Sequence, residues 1–198
     1  PMDHRAILGT SGQPTLGGVI ATNASGPRRI QVGAARDLAL GVTFVDGTGQ
    51  VLSNGGRVMK NVTGYDLVKL MSGSWGTLGV LTEVALKVLP VSETQATLKI
   101  HVTTWADAVG CMSAALGTPF DVSGAATVQA EDGGFDCLIR VEGFETSVQY
   151  RASELTQRLA KFGAVDVVDD PWAEVKDLRS WAALDTVWRI SVRPTDSL

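Results

Sequence analysis

His4, His101, Cys111 and Cys137 are the only histidines and cysteines in the 198 residues. Zinc and iron sites rest mainly on imidazole and thiolate, so no metal is assigned. Both cysteines fall in patterns that read as a helix and a strand and lack CxxC spacing. A buried pair of free thiols in a reducing compartment is therefore expected rather than a disulfide. The longest apolar runs, such as Leu38 to Val45, fall far short of the ~20 residues that a membrane-spanning helix needs. No GxGxxG joins a strand to a helix and no GxxxxGK[ST] occurs, which removes the Rossmann and P-loop readings. A GxSxG elbow is missing too. The acids of the second half read as solvent-facing or in turns, so a glycosidase-like carboxylate pair has no support. A net charge of −4 argues against a general nucleic-acid binder.

Glycine is what the chain has in quantity, and it is unevenly placed. Residues 1–90 hold 15 of the 22 glycines, and 8 Lys and Arg against 5 Asp and Glu; residues 91–198 hold 7 glycines, and 9 Lys and Arg against 16 acids. Two compositional shifts at one place predict a domain boundary near Pro90 to Glu93. The first part opens with PTLGGVIATNASGP (Pro14 to Pro27) and closes with GSWGTLGVLTEVALKVLP (Gly73 to Pro90). A turn without Cβ atoms lets backbone N–H groups approach an anionic or planar ligand that any side chain would hold off. Ordinary hairpins and β-bulges use glycine as well. Arg28, Arg29 and Arg36 form either an anion-facing patch or a solvated surface.

Local patterns fill in the elements. A short strand and loop are expected over Ala6 to Pro14, and a helical turn or coil follows at Gly17. Alternation on both sides of DGTG (Asp46 to Gly49) predicts a hairpin. A short helix is expected from the N-cap Asp66 to Gly73, with Leu67, Leu70 and Met71 on one face. Two Asn-x-Ser/Thr triplets, at Asn23 and Asn61, read as unglycosylated without a secretory signal.

Beyond Pro90 the order is strand, helix, strand, strand, helix, strand. The elements are Ala96 to Val102, a helix with Trp105, Val109, Met112 and Leu116 at helical spacing, Gly124 to Ala130, Cys137 to Gly143, a helix carrying Val148, Ala152, Leu155, Leu159 and Phe162, and Ala164 to Asp170. This is the ferredoxin-like split motif, an antiparallel sheet covered by two helices. A further short helix starts at Pro171, and Trp188 to Leu198 reads as a strand being completed. That ending, and a start in loop-like sequence at Pro1, suggest part of a longer polypeptide. Exposed strand edges and self-association are expected with it.

The segments TLGGVIATNASGPRRIQVGAARDLALGV and KNVTGYDLVKLMSGSWGTLGVLTEVALKVLP resemble the second half of the FAD-binding domain of the vanillyl-alcohol oxidase type flavoproteins. The GPRR…GAARD run and the GTLGVLTEVALKVLP strand are most similar to the FAD-binding E subunits of bacterial glycolate oxidases. The resemblance implies an α+β fold, with residues 1–90 as the C-terminal half of a PCMH-type FAD-binding domain and residues 91–198 as part of a ferredoxin-like cap. It implies FAD as cofactor, with Thr15, Gly17, Gly18, Thr22, Asn23 and Gly26 along the pyrophosphate-to-flavin stretch. Gly76, Thr77, Gly79 and Val80 would contact the dinucleotide through backbone atoms. For Thr22 and Asn23 the alternative is local side-chain to backbone capping.

Also implied are a small 2-hydroxy acid substrate (glycolate, or D-lactate in a close variant), a homologous FAD subunit and an iron–sulfur subunit as partners, and a cytoplasmic location, membrane-associated only through that complex. A non-catalytic docking subunit of the same complex is the competing reading. No residue is identified as the catalytic base. Arg189 is either a carboxylate clamp or a solvated strand residue. Trp75 stands where many relatives carry an acid, so that acid's role does not transfer.

Overall fold

The computed structural model describes residues 13–58, 64–181, 183–193 and 196–197. The strand expected over Ala6 to Pro14 and the Asn61 triplet lie largely or wholly outside them. The chain divides into two compact units, Pro1–Pro90 and Val91–Leu198.

The first unit runs α1 (Leu16–Ala21), α2 (Arg29–Val32), α3 (Ala35–Leu38), β1 (Ala39–Val45), β2 (Val51–Gly55), α4 (Leu67–Met71) and β3 (Val80–Leu86). Its antiparallel sheet has the order β2-β1-β3. Asp46 builds the hairpin tip by accepting from the Thr48 and Gln50 N–H groups at 2.8 and 2.9 Å and from the Thr48 hydroxyl at 2.8 Å. Those donors, the Thr48 hydroxyl foremost, hold its carboxyl below the usual range. At the other end of the hairpin only glycine fits position 55. Its φ is +74°, and a Cβ there would lie 2.2 Å from the Leu40 carbonyl oxygen. Phe44, Val42, Val68 and Met71 pack on the inner face of this sheet.

The apolar face of α4 differs from expectation: Val68 and Met71 are buried, whereas Leu70 is exposed. Over five residues, spacing of three fits Leu67/Leu70 and Val68/Met71 equally. The cap resolves the choice, since Asp66 accepts from the Lys69 N–H at 2.9 Å.

The second unit runs β4 (Thr94–Val102), α5 (Trp105–Leu116), β5 (Gly124–Gln129), β6 (Phe135–Gly143), α6 (Glu145–Leu159), β7 (Val165–Val168), α7 (Trp172–Asp177) and a 3-10 turn at Arg179–Trp181. The sheet order β5-β6-β4-β7, antiparallel throughout, is the ferredoxin-like arrangement. Leu98, Ile100, Ile139, Val141, Leu155 and Leu159 form the centre of its core under α5 and α6, each contributing about 1.5–3 kcal/mol by burial.

Helix α5 faces the sheet with Ala108, Cys111 and Ala115, not with Trp105 and Leu116, which are exposed. Small side chains let the helix sit close to β6; Cys137 approaches the Ala108 carbonyl at 3.8 Å. Cys111 and Cys137 are free and fully buried. The hydrogen bond to Cys137, together with burial, pushes the Cys111 thiol far up.

The opposite face of the sheet corrects the reading that every acid of this half is solvent-facing. Glu142 is buried beside Arg140, whose Nε lies 3.3 Å from Glu142 Oε2. Arg140 also donates to Ser123 through Nε (Oγ, 3.1 Å) and Nη2 (carbonyl, 3.1 Å), and its guanidinium stacks 4.4 Å from the centre of the Trp172 ring. The indole N–H of Trp172 donates to Thr97 Oγ1 at 2.9 Å. Alternation along CLIRVEG puts Arg140 and Glu142 on the outer face, but α7 returns to cover that face. The strand expected from Trp188 is not formed: residues 186–193 are irregular.

Removing one member of a buried ion pair strands the other, at about 3–5 kcal/mol. Arg140→Ala is therefore expected to lower the urea-unfolding free energy by that amount. Arg140→Met combined with Glu142→Leu should recover most of the loss.

Candidate functional site

In the first unit the Thr15 hydroxyl caps α1 by accepting the Gly18 N–H at 3.0 Å. Val19 and Ile20 plug the helix into the unit beneath β3. The four last carbonyls of a helix need outside partners, and here each has one. Gly18 O accepts the Thr22 N–H and hydroxyl at 3.0 and 2.8 Å, and Val19 O accepts the Ala24 N–H at 3.0 Å. Ile20 O takes the N–H of Gly73 at 3.1 Å and Ala21 O that of Trp75 at 2.8 Å. The second glycine-rich segment is thus the cap of the first.

The Thr22 side chain makes the local backbone bond of the capping alternative, whereas the Asn23 side chain reaches a segment thirteen residues on. Asn23, with φ +50°, accepts the Arg36 N–H on Oδ1 at 2.9 Å. Thr77 is engaged likewise, its N–H and hydroxyl both reaching Ser74 O at 3.0 and 2.7 Å. Gly18 has its N–H and carbonyl taken by Thr15 and Thr22.

Thr15, Gly17, Gly18, Thr22 and Asn23 are therefore brought together with the Gly73–Trp75 turn. Gly17 also lies beside the start of β3, since a Cβ there would be 3.8 Å from Leu81 O. Gly26 is set apart, its carbonyl opening the α2 turn by accepting the Arg29 N–H at 3.0 Å. Gly79 immediately precedes β3, and Val80 begins it by pairing with Val45.

Backbone freedom is concentrated in the second segment. Gly73, Gly76 and Gly79 have φ of +99°, +75° and +155°, and Trp75, a bulky residue, has +56°. Such a conformation is an outlier for a large side chain, and the indole it carries is 63% exposed. A Cβ on Gly76 would meet nothing within 4 Å. Ser74 Oγ is buried and has no hydrogen-bond partner among the described residues. Sequence reasoning passed over Ser74; the only signal was its place inside GSWGTLG.

An extended anionic dinucleotide fits this set. The polar side chains are spent on holding the loops, which leaves Gly17 backbone with only Leu81 beside it, open space over Gly76, and one hydroxyl without a partner among the described residues. Arg36 lies next to Asp37, whose carboxyl is held below its usual range by the Ala34 N–H and by Lys69, 3.6 Å away. The arginine run is therefore not a purely cationic patch. Arg189 is exposed on an irregular stretch of the second unit.

Gly79 and Gly76 separate packing from conformation. A Cβ at Gly79 would sit 2.5 Å from Val45 O and 3.0 Å from the Phe44 ring. Gly79→Ala is expected to destabilise the chain by about 2–3 kcal/mol, the upper range for a strained backbone site. Gly76→Ala has room and should cost only the left-handed penalty, about 1–2 kcal/mol. Urea midpoints of the two variants measure the difference.

Residues 5–55 match a family described as an FAD binding domain. Glycolate oxidase subunit GlcE of Escherichia coli is 37% identical over 189 residues, 93% of this chain and 49% of that protein. Glycolate oxidase subunit GlcD of Bacillus subtilis is 43% identical over 84 residues, 42% of this chain and 18% of that one. D-lactate dehydrogenase of Anaerostipes hadrus is 44% identical over 86 residues, 43% and 18% of the two chains. Among solved structures, alkyldihydroxyacetonephosphate synthase superimposes with a TM-score of 0.68 at 19% identity, covering 91% of this chain and 40% of that one. The chain spans about half the length of GlcE and a fifth or less of the other two relatives named. Residues 5–55 thus match an FAD binding domain, and the chain is similar, along nearly its whole length, to glycolate oxidase subunit GlcE.

Proposed function

We propose that this chain is part of the FAD-binding subunit of a glycolate oxidase. Residues 1–90 are the C-terminal half of its PCMH-type flavin domain, and residues 91–198 are the first part of a ferredoxin-like cap. The observation that carries this reading is the reach of the GlcE match, 93% of the chain, where the GlcD and D-lactate dehydrogenase matches named above cover 42% and 43%. Similarity confined to one half would support a shared flavin domain; similarity through both supports the same kind of subunit.

Bound FAD would supply the acceptor for the hydride leaving the carbinol carbon of glycolate while a general base takes the hydroxyl proton, giving glyoxylate. The chain's own residues bind and orient. Backbone at Gly17 and Gly76 would face the dinucleotide, and the buried Ser74 hydroxyl would take its missing partner from it. Thr15, Thr22, Asn23 and Thr77 fix the two loops in register, so no side chain has to reorganise on binding. Gly18, Gly26, Gly79 and Val80 shape the walls. The electrons would then pass to an iron–sulfur partner subunit.

A docking reading is favoured by a separate fact: GlcE and GlcD are both glycolate oxidase subunits, and both are similar to this chain. In that reading the flavin reduced by glycolate sits on the homologous subunit.

The test is a flavin titration of the native polypeptide as the cell makes it, followed by anaerobic addition of glycolate and of D-lactate. A visible flavin band that bleaches with glycolate is the expected result. Ser74→Ala should weaken FAD binding about tenfold, the worth of one hydrogen bond of about 1–1.5 kcal/mol. No bound flavin at saturation overturns the cofactor assignment. Flavin that bleaches with D-lactate alone moves the assignment to the lactate enzymes. Flavin that bleaches with neither acid leaves the docking reading.

A further inference from the structure

The two glycine-rich loops of the first unit are joined a second time, through α3. This helix has only four residues, and its first N–H groups have no partners inside it. Side chains take all three: Asp37 Oδ2 accepts the Ala34 N–H, Ser25 Oγ the Ala35 N–H and Asn23 Oδ1 the Arg36 N–H, each at 2.9 Å. Asn23 and Ser25 belong to the loop that follows α1, so that loop is fixed to the start of α3. Ala35 also packs in one cluster with Val19 and Ile20 of α1.

The other end of the connection is Lys69 on α4. Its ammonium donates to the Arg36 carbonyl oxygen and lies 3.6 Å from Asp37 Oδ1. Arg36 is therefore held at both ends of its backbone, the N–H by the first loop and the carbonyl by α4. Helix α4 has little freedom of its own, because Asn54 Oδ1 accepts the Leu67 N–H at 3.0 Å and Asp66 caps the first turn. Two residues after α4 ends at Met71, the chain reaches Gly73, whose N–H returns to the Ile20 carbonyl of α1.

These contacts close a ring: α1, the Asn23–Ser25 loop, α3, Lys69, α4, the Gly73–Trp75 turn and α1 again. Every link lies inside this unit, and none depends on an exposed face. An ion pair as accessible as that of Lys69 and Asp37 adds little stability by itself. The worth of Lys69 is therefore in where it holds α3. Without it, the two loops stay joined only where the turn caps α1.

We propose that Lys69 is a positioning residue for the dinucleotide: through the Arg36 peptide it holds the Thr22–Gly26 loop and the Gly73–Gly76 turn in the one relative placement that binds FAD. The inference rests on the flavin reading above and adds to it a residue outside both glycine-rich segments. A pair of loops that occupies the competent placement only part of the time binds with an affinity reduced by that fraction. Arg36, which the sequence marks for its charge, acts here by its backbone.

FAD titration of the native polypeptide as the cell makes it, read by absorbance and by the visible circular dichroism of the bound flavin, tests it. Lys69→Met is expected to raise the FAD dissociation constant about threefold to tenfold, as loss of one hydrogen bond does, and to weaken the dichroism. Lys69→Arg keeps a cationic donor and should restore both. Arg36→Ala keeps both backbone bonds and should change the constant less than Lys69→Met does. Asn23→Gly suits the φ of +50° but loses the carboxamide. Combined with Lys69→Met it should cost less than the product of the two single effects, because both open the same ring. Should Lys69→Met fail to fold, Asn23→Gly and its rescue by Asn23→Asp, which keeps the acceptor, carry the same test. Unchanged FAD affinity and dichroism in Lys69→Met overturn the proposal and leave the flavin reading intact, even where the urea midpoint of the apoprotein falls. A loss with Arg36→Ala as large as that with Lys69→Met also overturns it, as do strictly multiplicative effects in the double variant. A wild-type chain that binds no flavin overturns the flavin reading and this inference with it.

Discussion

Two backbone hydrogen bonds, from the N–H groups of Gly73 and Trp75 to the carbonyls of Ile20 and Ala21, determine the layout of the first unit. Helix α1 has six residues, far fewer than the ~12–15 at which an isolated helix becomes even marginal. It persists because Ile20 is fully buried and because its last carbonyls are all satisfied. Delivering N–H groups from positions 73 and 75 to one helix end requires the backbone between and after them to turn sharply. The positive φ angles at Gly73, Trp75 and Gly76 are that turn. The glycines are thus there first to let two distant segments bond to each other. A surface free of side chains follows from the same geometry.

How legible this was depends on whether the signal was periodic. The hairpin around Asp46 and the ferredoxin-like order of the second unit follow from alternation and helical spacing, because burial on one face imposes a period. The buried Arg140–Glu142 pair was hidden for the same reason. Alternation correctly put both on the face away from Ile139 and Val141, but nothing in the strand says that Trp172, some thirty residues later, will cover it. Helix α5 misleads in the opposite way: large apolar residues at helical spacing drew attention, while Ala108, Cys111 and Ala115 make the contact because close approach selects small side chains.

At the candidate site the conspicuous polar residues are hydrogen-bonded within the protein. Thr15, Thr22 and Thr77 hydrogen-bond to backbone within four residues, and Asn23 to the Arg36 N–H thirteen residues on. Sequence could say that these residue types suit caps and anions alike, since a hydroxyl or carboxamide serves both; only the distances separate the two roles. Ser74 shows the converse. Its hydroxyl is unremarkable in GSWGTLG, and only burial without a partner marks it, because an unmade hydrogen bond costs about 1–3 kcal/mol and natural structures rarely leave one.

The two units are stabilised by different means, and this bears on what a ligand does to each. Seven of the nine positive-φ glycines among the described residues lie before Pro90, in a unit of short helices joined by caps and turns. The second unit instead buries one continuous apolar cluster between a four-stranded sheet and two longer helices. Glycine-rich turns give the first unit a large conformational entropy to lose on folding, with little burial in return at the loops themselves. A ligand that binds the ordered loops and not the unfolded chain contributes RT ln(1 + [L]/Kd) to that unit's stability. A ligand bound at that unit would thus add most where burial contributes least, whereas the sheet beneath α5 and α6 rests on its own apolar packing.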